Sequence, residues 1–224
     1  MPSKQDELVL CVRDADIAGN MEEIAEIDNV GHDGWWAKYN LLLICSVDPW
    51  FITRRIAETD DTWRQIIPYT IVTSGDRVLT YCRAKTGGED RLHDLWSVGF
   101  GGHINLADVP VFGVGKYGEI DVQATVVMSR ERELREELSG VNWTKGHEGR
   151  FQHLGVIRIK EPVRNTVNNV HLGLVSVIQL VTDPTEVRPN KLEASQYRWV
   201  VPGELKDLNL EPWSRLVVDY ATLI

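Results

Sequence analysis

Apolar and polar positions along this chain change period several times, and each change marks an element. Residues 7–13 (ELVLCVR) form an aliphatic run of strand length. An acidic stretch with helical character follows, and then the Trp-rich segment Trp35 to Trp50, which fits neither period. From Ile67 the pattern sharpens. IPYTIVTS and RVLTYCR are β-rich runs on either side of Gly75-Asp76, a pair suited to a tight hairpin turn between antiparallel strands. After the polar turn KTGGED comes LWSVGFGGHIN, a short strand ending in glycines, where the backbone can bend or approach a ligand. The loop Leu106 to Gly118 leads to Asp121, a good N-cap for a helix reaching about Leu138, with Gly140 where a helix would stop. FQHLGVIRI, NVHLGLVSVIQLV and YRWVV read as further strands. From Pro212 onward Trp213, Leu216, Val217, Tyr220 and Leu223 recur at helical spacing, predicting a closing amphipathic helix.

Strands around one strong helix, with a second helix at the end, predict an α/β protein in the form of a mixed-sheet sandwich. With 224 residues and 43% hydrophobic content the chain can bury one core and a small second lobe. The change of pattern near residue 65 divides it into an N-terminal extension, 1–64, as a small lobe or an added strand or helix, and a main domain, 65–224. No internal repeat or low-complexity tract interrupts this division.

Charge and cysteine usage narrow the function. A formal net charge of -9, without any basic run, argues against a duplex nucleic-acid binder. Cys11, Cys45 and Cys82 are odd in number and widely spaced, which suits buried thiols in a reducing compartment better than disulfides or a cysteine zinc site. The longest aliphatic burst, Leu41 to Cys45, is far short of a bilayer crossing, and no signal peptide pattern is visible. A cytoplasmic protein without a membrane partner is expected.

The most informative segment is Arg132 to Val141, RELREELSGV. At about 100° per residue, Glu133, Glu136 and Glu137 share one helical face, because i, i+3 and i+4 positions are neighbours. Like charges held together this way repel unless cations neutralise them, and a hard divalent ion with oxygen ligands would do so. A solvated acidic face partnered by Arg130, Arg132 and Arg135 satisfies the same pattern. The Gly101-Gly102-His103 turn before the helix offers a bare backbone whose carbonyl could add an oxygen ligand.

GGH followed by a helix carrying RELxEE resembles the Nudix box, G-x5-E-x7-R-E-U-x-E-E-x-G-U with U a bulky aliphatic. Arg132 to Glu137 match completely, and the spacing puts the first glycine at Gly118. The wider strings FITRRIAETDDTWRQIIPY and RLHDLWSVGFGGHIN are similar to a branch of predicted Nudix-type phosphoesterases. SQYRWVVPGEL is a weaker echo of the close of many Nudix domains. Three departures stand out: Ala124 replaces the box's first Glu, the terminal glycine comes one position late at Gly140, and a long insertion separates Gly101-Gly102 from Gly118.

The resemblance implies an α/β/α sandwich and the hydrolysis of a nucleoside diphosphate linked to another group, with Mg²⁺ or Mn²⁺ and an attacking water. It implies that Glu133, Glu136, Glu137 and the Gly102 carbonyl hold the metal and that Arg132 orients the carboxylates. Glu133 or a later Glu would assist deprotonation of water. Glu193 is the first choice for a further acidic residue, ahead of Glu148 and Glu161, and a plain loop carboxylate explains it equally well. Arg83, Arg91 and His103 are expected to contact substrate; solvated turns and a structural histidine account for them as well. Dimerisation is a habit of that family and is carried from it alone. Ala124 and the insertion also motivate a non-catalytic nucleotide-sensing or assembly module. Isoprenoid diphosphate isomerisation, known on this fold, lacks a suitably placed cysteine here.

Overall fold

The computed structural model describes residues 3–17, 27–30, 34–38, 47–84, 94–110, 120–141, 143, 149–161, 166–181, 183–190, 194–221 and 223. Thirteen strands are seen among these: β1 (Leu8–Arg13), β2 (Ile27–Val30), β3 (Gly34–Lys38), β4 (Trp50–Thr53), β5 (Trp63–Ser74), β6 (Arg77–Arg83), β7 (Trp96–Ser97), β8 (Gly99–Phe100), β9 (Leu138–Ser139), β10 (Gly149–Ile159), β11 (His171–Leu180), β12 (Arg188–Pro189) and β13 (Ala194–Val200). Two α-helices exceed a single turn, α1 (Val122–Glu137) and α2 (Pro212–Tyr220). This is the expected α/β architecture. The main sheet runs in the order β13-β6-β5-β11-β10-β3-β2, with β1, β4, β7 and β8 attached beside that path, while β12 pairs with β9 separately. Among the described residues no helix is long and apolar enough to cross a membrane.

The chain divides into two compact units, one made of Met1–Pro68, Gly102–Glu131 and Gly155–Leu174, the other of Tyr69–Gly101, Arg132–Leu154 and Val175–Ile224. In the first unit β1 lies antiparallel to both β4 and β5, with Leu10 opposite Phe51 and Val12 opposite Arg64. The strand read as part of an N-terminal extension is therefore bonded into the main sheet, and β3 likewise pairs with β10. Leu10, Val12, Ile66, Ile104, Val126, Val156 and Leu172 form the apolar core of this unit. Beside them two almost fully buried arginines, Arg64 and Arg158, converge on Asp14. Arg64 Nε donates to Asp14 Oδ1 at 2.6 Å, and Arg158 donates to Oδ1 and Oδ2 at 2.8 and 2.7 Å. Arg64 also donates to the carbonyls of Ile159 and Asn168 at 2.9 and 2.6 Å, so its buried donors are satisfied.

In the second unit β5 and β6 form the predicted hairpin, with Thr73 opposite Val78 and Gly75 in the turn. Val72, Leu79, Tyr81, Phe100, Leu134, Leu138 and Ile178 make its core, where the Tyr81 and Phe100 rings stack at 4.8 Å. A buried polar knot holds α2. Tyr69 Oη and Ser97 Oγ donate to Glu211 Oε1 at 2.9 and 2.7 Å, and Arg83 Nε donates to Oε2 at 2.8 Å. Burial alone would raise the Glu211 carboxyl, yet the Arg83 charge and these donors hold it below the ordinary carboxylate range. Cys11 and Cys82 are buried free thiols, as expected; Cys45 lies outside the described residues.

Gly99 sits against this knot, and a Cβ built there would stand only 2.1–2.4 Å from atoms of the Tyr69 ring. Gly99→Ala is expected to displace the ring and destabilise the protein by about 1–3 kcal/mol, the usual range for overpacking. Urea unfolding would register this as a lower midpoint; an unchanged midpoint would show that the ring yields freely.

Candidate active site

The carboxylate-bearing helix is built locally as its sequence dictates. Asp121 caps its start, accepting from the Ala124 N–H at 2.9 Å. Leu134 is buried in the second unit's core. With Leu134 turned inward, Glu133, Glu136 and Glu137 are carried on other positions of the last two turns. Gly140 closes the run with φ +86°, and a Cβ there would meet the Glu186 carbonyl. The late glycine therefore occupies a position that only glycine fills without strain.

Arg132 lies between two of the acids. Its Nη1 donates to Glu133 Oε1 at 2.7 Å and to Glu136 Oε2 at 3.3 Å. The third, Glu137, accepts from the Gly101 N–H at 3.0 Å through Oε2. One cation thus bridges two carboxylates, and the glycine backbone after β8 holds the other. Glu133 is sheltered, with 13% of its side chain exposed, whereas Glu136 is open at 60%. Carboxylate oxygens are the donors a hard divalent ion takes, but among the described residues the group whose ligand atoms lie within 4.8 Å of one another is Glu58, His103 and His171, not these three acids.

The remaining candidates separate. Arg83 is paired with Glu211 in the polar knot, and its guanidinium lies over the Tyr81 ring at 5.8 Å. Glu161 accepts from Asn168 Nδ2. Arg91, Gly118, Glu148 and Glu193 lie outside the described residues.

His103 belongs to the first unit and faces a partner that sequence spacing did not suggest. Its Nε2 is 3.2 Å from His171 Nε2, with the rings crossed at 65°. Glu58 completes a group whose ligand atoms all lie within 4.8 Å of one another. His171 Nδ1 is 2.7 Å from the Val167 carbonyl, and burial pushes the imidazole down to about 4. Glu58 follows a single helical turn, Arg54–Ala57, and His171 opens β11. No local motif marks either residue as a ligand, because the three meet only through strand pairing and loop placement.

No protein-family model matches the chain. Over 167 residues it is 35% identical to Protein YmaB of Bacillus subtilis (strain 168), with 73% of each chain covered. The chain belongs to the YmaB family. The crystal structure of Tm1382, a candidate Nudix hydrolase, superposes with a TM-score of 0.66 at 23% identity, covering 95% of this chain and 97% of that one. This member of the YmaB family therefore has the Nudix fold, as the RELREE helix implied.

Proposed function

We propose that this protein is a divalent-metal-dependent hydrolase that splits the diphosphate linkage of a nucleoside diphosphate derivative with an activated water. The observation that carries the proposal is the acidic end of α1, where Arg132 bridges Glu133 and Glu136 while Gly101 holds Glu137. Glu133, Glu136 and Glu137 would hold Mg²⁺ or Mn²⁺, and the resemblance adds the Gly102 carbonyl. When bound, such an ion supplies charge neutralisation at phosphate oxygens and lowers the pKa of an attacking water.

The chain's own residues then have defined tasks. Arg132 keeps the carboxylates oriented and limits their mutual repulsion. Glu133, sheltered from bulk water, accepts the proton from the attacking water, with Glu193 as the alternative base. The water oxygen forms a bond to one phosphorus, and the bridging oxygen leaves with the other phosphate. With a net charge of -9 the chain would repel a polyphosphate, so cation occupancy also serves substrate binding. Arg91 and His103 are assigned to substrate contact. Arg83, paired with Glu211 and partly exposed, is assigned to substrate contact with them. A homodimer in the cytoplasm completes the proposal.

A panel of nucleotide sugars, dinucleotides and nucleoside di- and triphosphates, assayed with Mg²⁺ and Mn²⁺ and scored by product identity, tests it. Turnover of at least one diphosphate ester, abolished by chelation, is the expected result; the absence of turnover across the panel with either metal counts against it. Ala124 favours a second reading. The helix lacks the acid that the Nudix box places there, so the fold would bind a nucleotide without cleaving it. Calorimetric binding from the same panel without phosphate release would select that reading.

A further inference from the structure

We propose that Glu58, His103 and His171 form a second cation site in this protein, suited to a borderline transition ion of the Zn²⁺ class and built from residues other than the α1 carboxylates. The argument begins with a tautomer. The Val167 carbonyl can only accept, so the 2.7 Å contact requires His171 Nδ1 to carry the proton; His171 Nε2 then accepts from His103 Nε2, and an ion would take the place of the proton they share. Metal-binding histidines are oriented in this way, with the outer nitrogen anchored on a carbonyl and the inner one free to ligate.

Distance points the same way. Two nitrogens on a tetrahedral ion with bonds of roughly 2.0–2.1 Å stand about 3.3 Å apart. The two Nε2 atoms are 3.2 Å apart. Glu58 lies close enough for a small side-chain rotation to bring in a carboxylate oxygen. Its Oε1 also accepts from Arg54 Nε at 2.8 Å, which helps to fix the carboxylate. Two imidazole nitrogens select Zn²⁺, Co²⁺, Ni²⁺ or Fe²⁺ over Mg²⁺ and Ca²⁺, which require oxygen ligands. Three protein ligands leave a coordination position for water or an anionic oxygen. His171 is buried while His103 and Glu58 are only half-buried, so that position is reachable.

An ion there would also tie His103, the residue directly after Gly101-Gly102, to the start of β11. The site stands whether or not the α1 carboxylates hydrolyse a diphosphate.

Chelator-stripped full-length protein titrated with Co²⁺ tests it, because four- or five-coordinate Co²⁺ absorbs far more strongly than the hydrated ion. One equivalent of the strongly absorbing Co²⁺ form per chain is expected, displaced by Zn²⁺ and not by Mg²⁺, whatever weakly absorbing Co²⁺ the α1 carboxylates also take. His103→Gln and His171→Gln should each weaken binding more than about 100-fold, beyond the roughly 10–100-fold that loss of an outer partner costs. Glu58→Gln should weaken it at least about 10-fold on the same scale, and Glu136→Gln should leave the Co²⁺ spectrum intact. If buried His171 does not tolerate substitution, His103→Gln and Glu58→Gln decide the matter. Absence of the Co²⁺ bands, or bands that survive in both of those variants, or bands that disappear in Glu136→Gln, overturns the proposal. The hydrolysis panel is read independently of all these outcomes.

Discussion

Glu136→Gln is expected to lower kcat by roughly 10²–10⁴-fold, the range seen when one charged or proton-transferring group is removed from a catalytic centre. The fold should be unaffected. Glu136 is 60% exposed and accepts a 3.3 Å hydrogen bond from Arg132 on the same helix face. Exposed substitutions of this kind usually change stability by no more than about 0.5 kcal/mol. The amide keeps the side chain's size and removes its charge, so a loss of turnover measures the need for the charge. The comparison requires steady-state rates with Mg²⁺ and Mn²⁺ beside circular dichroism and unfolding midpoints. Undiminished turnover in a verified fold would remove the α1 carboxylates from the mechanism, whatever the substrate.

Asp14→Asn should produce the largest loss of stability. The native carboxylate faces two guanidiniums that are almost fully buried, Arg64 at 1% and Arg158 at 4% exposure. Neutralising Asp14 leaves both cations in the interior without their counter-ion. Breaking a buried pair in this way costs about 3–5 kcal/mol, a large share of the roughly 5–15 kcal/mol that a domain has in total. Urea denaturation should show that drop, or the variant should fail to accumulate as folded protein. A change below about 1 kcal/mol would place the interaction in the class of exposed ion pairs.

The same group sets an acid limit. Burial by itself would raise the Asp14 carboxyl, but the hydrogen bond from Arg158 and the charges of Arg64 and Arg158 hold it below the ordinary value. Its folded pKa is therefore lower than its unfolded one. The stabilisation is complete above the unfolded carboxylate pKa and is lost as pH falls through the folded value. Wild type and Asp14→Asn should differ most at neutral pH and converge in acid. A stability gap that widens on acidification would contradict this linkage.

Some of the architecture was legible without coordinates. The β5–β6 hairpin follows from two β-rich runs and the Gly75-Asp76 pair, because turn geometry and strand propensity act over a few residues. The long helix and its acidic face follow from helical spacing, since neighbouring carboxylates on one helix need no tertiary information to be placed together. Other features were not legible. The 7–13 run reads as a strand of an N-terminal extension that is a small lobe or an added strand or helix, and which strands it pairs with, β4 and β5, is set only by the fold. Arg83, read as a substrate contact in a polar turn, is held by Glu211, a residue far along the chain.

The sequence alone determined the β5–β6 hairpin, the long helix with its acidic residues and the resemblance to the Nudix box, since each depends on contacts within a turn or a hairpin, whereas β2, β3 and β4 in the acidic and Trp-rich stretches carried no clear period. Tertiary structure alone decided that Asp14 would neutralise two buried arginines and that His103 would meet His171, 68 positions away. Burial in an environment of low dielectric gives those long-range pairs their energetic weight, and no periodicity along the chain records which distant residues will share it.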